Sequence, residues 1–309
     1  VLLGGNLWGS NPDLDWAAGA MQNIGTTAHI TTKLNPGHVH GRGKVNLLLP
    51  VLARDEERQT TTQESMFNYV RLSEGGAPPP GDEVKSEVEV IAALAARVLP
   101  PGPFPFERMG DHRAIREVIA EVVPGFEALK KIDEDGNEFQ IKGRTFHEPS
   151  FNTPSGRAQA RVTPLSDLEI KEDEFRLMTL RSEGQFNTVV YEEEDLYRGN
   201  TRRDVVMMNS GDAERLGLSE GDPVTVTTET GRLDVVAAIV DLPPRNLSMY
   251  YPEANVLVPR RIDPESGTPA FKSVIARLVT GAQRQSVSEG ALTEASLSAA
   301  SSGTGGTGT

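Results

Sequence analysis

Apolar residues open the chain at Val1-Leu2-Leu3 and stop at Gly4-Gly5, and Leu14 to Ile24 follows as an Ala-rich helical stretch. Ala28 to Thr32 and Val45 to Leu49 are then short, nearly continuous apolar runs of the kind that form buried strands. That order predicts a βαβ unit with one further strand, and so a doubly wound parallel sheet. No initiator methionine precedes Val1, so the sheet is expected to be incomplete at its amino end, inside an architecture that begins upstream.

Ala77-Pro78-Pro79-Pro80-Gly81-Asp82 is a stiff break, after which Ser86 and Glu89 have the spacing of a capping box. Val84, Val88, Ile91, Ala95 and Val98 then mark one face of a helix that Pro100-Pro101-Gly102-Pro103 ends. Ile115, Val118, Ile119 and Val122 mark a second, stopped at Pro124-Gly125. Both are expected to cover the sheet. Ile132 to Arg161 is polar and turn-rich; Asp135-Gly136-Asn137 reads as a hairpin turn, and Phe146 to Arg161 as a crossing linker.

Beyond it the pattern changes to short β-branched strands: Phe175 to Leu180, Val205 to Met208, Val224 to Thr227, Leu233 to Val240 and Val274 to Leu278. A brief helix, Asp212 to Leu216, closes at Gly217. Such strands, separated by Gly, Asp and Pro, favour a compact barrel-like sheet. The expected organisation is a partial α/β domain over 1–131, a linker over 132–174, a β-rich barrel-like domain over 175–280, and a disordered tail over 281–309, which ends in Ser-Ser-Gly-Thr-Gly-Gly-Thr-Gly-Thr.

At 309 residues the chain is long enough for two domains without staples. Its 31 Lys and Arg against 44 Asp and Glu, a formal charge of -13, disfavour nonspecific binding to nucleic acid or an anionic membrane. Cysteine is absent, which excludes disulfides, thiolate nucleophiles and cysteine ligands to zinc or iron–sulfur clusters from this chain. No run of about 18 apolar residues offers a membrane span, and a cytoplasmic setting is the default expectation.

Candidate chemistry gathers at strand ends. Asn6, Ser10 and Asn11 lie among Gly4, Gly5 and Gly9 in the opening loop, where amides can read a heterocycle edge and glycines admit a phosphate; a bare turn explains the pattern equally well. Thr31-Thr32-Lys33-Leu34-Asn35 occupies the end of the next strand on the same rim, with Lys33 as a point charge for phosphate. His38 and His40 invite a metal reading but lack a third ligand nearby, so packing or a polar ligand contact is preferred. In the second domain, Arg181-Ser182-Glu183-Gly184-Gln185-Phe186-Asn187-Thr188 follows a strand and can wrap a diphosphate. Glu192-Glu193-Glu194-Asp195 reads as a solvated surface salt-bridged to Arg198, Arg202 or Arg203. Asn255 can pair with a pterin or purine or merely support a turn, and Lys272 can close over an anion. No Gly-x-Ser-x-Gly elbow and no Gly-Lys-Ser/Thr phosphate loop is present.

Leu3-Gly4-Gly5-Asn6-Leu7, Ser10-Asn11-Pro12-Asp13, Thr32-Lys33-Leu34-Asn35 with His38, and Glu64-Ser65-Met66 occur in an informative order. Arg181-Ser182 with Gln185-Phe186-Asn187-Thr188 and Asp195-Leu196-Tyr197-Arg198-Gly199 follow. Next come Asn209 with Asp212-Ala213, Leu216-Gly217-Leu218 and Gly221-Asp222 with Val224, then Pro252 to Leu257 and Thr268-Pro269-Ala270 with Lys272-Ser273. Together these segments resemble the carboxyl-terminal half of a formate-dehydrogenase-like molybdopterin oxidoreductase alpha subunit, in the dimethyl-sulfoxide-reductase superfamily, over about residues 1–280.

The resemblance implies a bis(molybdopterin guanine dinucleotide) cofactor with molybdenum, one dinucleotide held by the α/β domain and the other chiefly by a molybdopterin-dinucleotide-binding domain at 175–280. Asn6, Ser10, Lys33 and Asn35 would line the first site, and Arg181, Gln185, Asn187, Asn255 and Lys272 the second. It implies two-electron chemistry on a small substrate, formate being one candidate, with the pterins relaying electrons. An iron–sulfur cluster would come only through upstream sequence, and a missing amino-terminal portion or an electron-transfer protein is the expected partner. Pro36-Gly37 stands where the family pattern has Arg-Ser, so a cation of that loop is lost or moved. No catalytic residue and no protein ligand to a metal is assigned. The alternatives are a noncatalytic cofactor-binding or assembly module, and, ranked far below, a hydrolase with a metal near His38 and His40.

Overall fold

The computed structural model describes residues 1–143, 149–164 and 169–281, so residues 282–309 of the expected tail and part of the expected linker lie outside the described residues. The first unit begins β1 (Leu2–Leu3), α1 (Leu7–Ser10), α2 (Leu14–Met21), β2 (Thr26–Thr31), α3 (Gly37–His40) and β3 (Val45–Pro50). β1, β2 and β3 form an all-parallel sheet in that order, with Leu2 opposite His29 and Thr26 opposite Val45. Asn6 caps α1, accepting from Gly9 N at 2.8 Å, and Asp13 caps α2.

A small antiparallel sheet follows, β4 (Thr61–Glu64) and β5 (Tyr69–Ser73), neither of which the sequence reading anticipates. α4 (Glu87–Val98) opens on the expected capping box: Ser86 Oγ accepts from Glu89 N at 3.1 Å, and Glu89 Oε2 accepts from Ser86 N at 2.8 Å. α5 (His112–Val122) is the second amphipathic helix. The hairpin expected at Asp135-Gly136-Asn137 is absent. Asp135 instead ends α6 (Ile132–Asp135), and Gly136 takes the left-handed conformation, φ +65°, that closes a helix. β6 (Phe139–Gln140) then joins β5, and Ile132 and Ile141 share a core cluster with Val70, Ala120 and Leu129.

The second unit is a closed barrel. Its strands are β7 (Phe175–Leu180), β8 (Val205–Met208), β9 (Pro223–Thr227) after α7 (Ser210–Leu216), β10 (Arg232–Ile239), β11 (Asn246–Tyr250) and β12 (Val274–Val279). Around the barrel the order is β10-β8-β11-β7-β12-β9, with β10·β8 and β11·β7 parallel and the other pairs antiparallel. Alternation puts Phe175 and Leu177 inside with Val206, Met208, Val224, Val226, Leu247 and Met249. Val205, Met207, Ala238 and Tyr250 form a second cluster on the outer face, so β8 is buried on both sides. At about 25 cal/mol per Å² of apolar surface, this interior is the chief stabilising term of the unit. Asn209 caps α7, which ends at Gly217 in the left-handed conformation, φ +66°.

Candidate functional site

The two units meet where the loop after β1, with helices α1 and α2, touches the barrel unit. Asn6, 5% exposed, donates from Nδ2 to Thr188 O at 3.3 Å while its Oδ1 caps Gly9. From the barrel side the fully buried Asn255 donates to Gly9 O at 2.8 Å, and Asp13 N donates to Asn255 O at 2.9 Å. Arg260 pairs with Asp13 at 2.9 Å and lies over Trp16. Asn35 Oδ1 accepts from Gly37 N at 2.9 Å. Gly37 must be glycine here, because a Cβ would collide with both Asn6 and Asn35.

The sequence-selected amides therefore converge, and much of their hydrogen-bonding capacity holds the seam. Asn6 and Asn35 meet around Gly37, and Asn187 Oδ1 accepts from Val189 N and Val190 N at 2.7 and 2.9 Å. Gln185 is buried and donates to Tyr251 O and Asn187 O at 2.7 and 2.9 Å. Asn255 Oδ1 is the exception, a buried acceptor with no partner among the described residues. Ser10 is exposed, its hydroxyl donating to Leu7 O within the same short helix.

The cations behave differently. Lys33, Arg181 and Lys272 are exposed, and none forms an ion pair among the described residues. Arg181 donates to Phe186 O at 2.8 Å and faces the Tyr251 ring at 5.8 Å; Lys272 donates to Thr179 O. Burial, with the nearby Arg181 charge added, pulls the Lys272 ammonium below its ordinary value. The two positive groups thus repel one another, and neither has an ion-pair partner among the described residues. An anion would relieve that repulsion. Burial also raises the Tyr251 hydroxyl, against the opposing pull of Arg181.

Arg203, which the sequence reading placed in a surface salt bridge, is the buried hub of the barrel loops. It is 5% exposed and pairs with both oxygens of Glu253 at 2.6 and 3.0 Å. It also donates to Ser182 Oγ and Tyr251 O, each at 2.8 Å, and to Gln185 Oε1 at 3.3 Å. Tyr191 and Tyr250 lie against its guanidinium at 4.3 and 4.8 Å. Asp195 corrects the expectation of a solvated acidic run: it is 1% exposed. Burial works against its charge, but hydrogen bonds from Arg198, Tyr250 and Glu183 N outweigh that and hold its carboxyl below the ordinary value. Burial pushes the Tyr250 hydroxyl up to about 12, with Asp195 adding to the rise and the Asn200 hydrogen bond opposing it.

The two histidines of the α3 loop part company. His38 is buried, within reach of Asn35 N and Nδ2 at 3.3 Å, and meets His29 edge-on at 4.8 Å. His40 is exposed and tilts over Trp8 at 5.0 Å. Among the described residues no group of three or more His, Cys, Asp or Glu is placed to hold a metal ion.

Residues 175–275 match the family model described as the molydopterin dinucleotide binding domain. The barrel has the molybdopterin-dinucleotide-binding fold. The chain is 35% identical over 297 residues to an uncharacterized oxidoreductase of Mycobacterium tuberculosis strain H37Rv, covering 89% of this chain and 38% of that protein. It is 30% identical over 300 residues to protein YdeP of Escherichia coli strain K12, covering 90% of this chain and 39% of that one. The chain thus spans less than half the length of the curated relatives it matches. Acetylene hydratase from Pelobacter acetylenicus shares the fold, with a TM-score of 0.64 at 18% identity over 91% of this chain and 44% of that one. The chain thus carries a molybdopterin-dinucleotide-binding barrel and is similar along most of its length to a curated oxidoreductase. The narrower resemblance to formate dehydrogenase gains no support from these matches. No helix among the described residues is long and apolar enough to cross a membrane.

Proposed function

We propose that this chain is the cofactor-holding part of a molybdopterin-dependent system, and that it binds molybdopterin guanine dinucleotide at the seam between its two units. The observation that carries the reading is the set of cations without an ion-pair partner among the described residues, Lys33 beside the β2 end and Arg181 with Lys272 beside the β7 end, in a chain of net charge -13. An elongated ligand with separated diphosphates is the kind of anion such a set accommodates. Asn255 Oδ1 supplies a buried acceptor beside it, and the loops that present Gln185 and Asn187 are fixed by Arg203. When bound, the cofactor would supply two-electron chemistry at molybdenum.

In this reading Lys33, Arg181 and Lys272 offset diphosphate charge, while Asn6, Ser10, Asn35, Gln185, Asn187 and Asn255 set the shape of the seam and orient the ring systems. No catalytic residue is assigned. The name of the mycobacterial relative supports a redox class, and the matched barrel supports cofactor holding in particular, so the binding-module reading is the one adopted. The test is to express the chain in a host that makes the guanine dinucleotide cofactor and to measure the molybdenum and pterin that copurify. Pterin retention is expected to fall about tenfold in each of Lys33→Gln, Arg181→Gln and Lys272→Gln, because each loses a charge-assisted contact. Wild-type protein that carries no pterin, or three variants that retain as much as the parent, would overturn it.

A further inference from the structure

A second set of unpaired cations sits at the other end of the parallel strands. Residues 16–54 contain no Asp or Glu, in a chain that has 44, and they carry Lys33, Arg42, Lys44 and Arg54. Arg42 and Lys44 precede β3, whose first residue, Val45, lies opposite the first residue of β2, whereas Lys33 follows the last residue of β2. They border a polar cavity of about 600 Å³ whose other walls include Gln22, His40 and Asn46. No carboxylate lines it, and neither cation forms an ion pair among the described residues.

The loop that carries these cations is pinned. Gly43 N donates to Thr27 Oγ1 at 3.1 Å and Lys44 N to Ile24 O at 2.9 Å. Gly43 admits no side chain, because a Cβ there would approach Ile24 O to 2.6 Å. Arg42 and Lys44 are therefore presented from a fixed backbone. Asn46 is committed to Thr27 and His38, whereas the Gln22 amide has no hydrogen-bond partner among the described residues. His40 braces its ring on Trp8 and offers a planar wall.

We propose that this cavity is an anion site separate from the seam, taking a small phosphate ester that carries a planar ring, of the nucleoside-monophosphate class. The Arg42 fork and the Lys44 ammonium would take the phosphate, His40 would stack on the ring, and Gln22 would read its edge. The cavity volume lies within the range of small-ligand sites. The inference does not rest on the cofactor reading.

Isothermal titration of the full chain with AMP and, separately, with inorganic phosphate tests it. Saturable binding of AMP is expected in the wild type and, undiminished, in Lys33→Gln/Arg181→Gln/Lys272→Gln, which removes the seam cations. Arg42→Gln/Lys44→Gln should weaken both probes by at least about tenfold. His40→Ala should weaken AMP and leave inorganic phosphate unchanged. All of these positions are exposed, and circular dichroism checks that each variant is folded. Failure of the wild type to bind either probe at millimolar concentration would overturn the proposal. So would AMP binding that survives Arg42→Gln/Lys44→Gln, or that disappears with the seam cations alone, which would assign it to the cofactor site.

Discussion

The guanidinium of Arg203 ties Ser182, Gln185, Tyr251 and Glu253 together while two tyrosine rings close over it. Its charge is buried, and each of its partners would lose a donor if it were removed. Arg203→Met should therefore cost about 3 kcal/mol, read as a lower urea midpoint, and Arg203→Lys should recover only part because an ammonium cannot replace the planar fork. No sequence signal marked this role: Arg202 and Arg203 are adjacent, yet Arg202 makes an exposed pair with Asp204 while its neighbour turns inward. The amides Asn6, Gln185 and Asn255 were legible as a group at strand ends. Their use as braces of the seam was not, because it depends on partners up to the far end of the chain, Gly9 with Asn255 and Asn6 with Thr188.

Strand β2 and helix α3 face one another through His29 and His38. His29 is 3% exposed, and neither of its ring nitrogens meets a hydrogen-bond partner within 3.5 Å among the described residues, although the Asn46 side chain acts weakly on the ring. Burial, and then His38, hold the His29 ring below its ordinary value of 6.5, and burial does the same to His38. Lowered histidines bind fewer protons folded than unfolded, so their contribution is fully present above the unfolded value and is lost as pH falls below about 6.5. The thermal unfolding midpoint is expected to fall as pH drops through that window, and His29→Phe should flatten the dependence. A pH-independent midpoint from 7 to 5 in the wild type would contradict it.

The strands richest in β-branched or apolar residues, β2, β3, β7, β8, β9, β10 and β12, were readable from pattern alone. β11 was not: Asn246-Leu247-Ser248-Met249-Tyr250 holds no β-branched residue, and only pairing with β7 and β8 makes it a strand. β4 was missed because Thr61-Thr62-Gln63-Glu64 is polar and edge-placed.

At the scale of the molecule, β3 is unusual for a parallel strand. Val45, Leu47, Leu48 and Leu49 are each more than 40% exposed, so apolar side chains reach solvent on both faces, and among the described residues one edge of the strand is unpaired. Such a surface favours self-association. Light scattering coupled to gel filtration should show concentration-dependent oligomers of the chain, and Leu47→Glu/Leu49→Glu should shift them toward monomer; identical elution of the two would refute the link.

The wiring of the barrel sets a condition on its synthesis. Leu177 pairs with Leu247 on one side and Val274 on the other, so the first strand made has both its neighbours among the last two. As the chain leaves the ribosome, β7 must wait with both edges bare until β11 and then β12 emerge. A product terminated before Val274 would have neither β12 nor any means of sealing β7 to β9, and chaperones and proteases would meet it as an open ribbon.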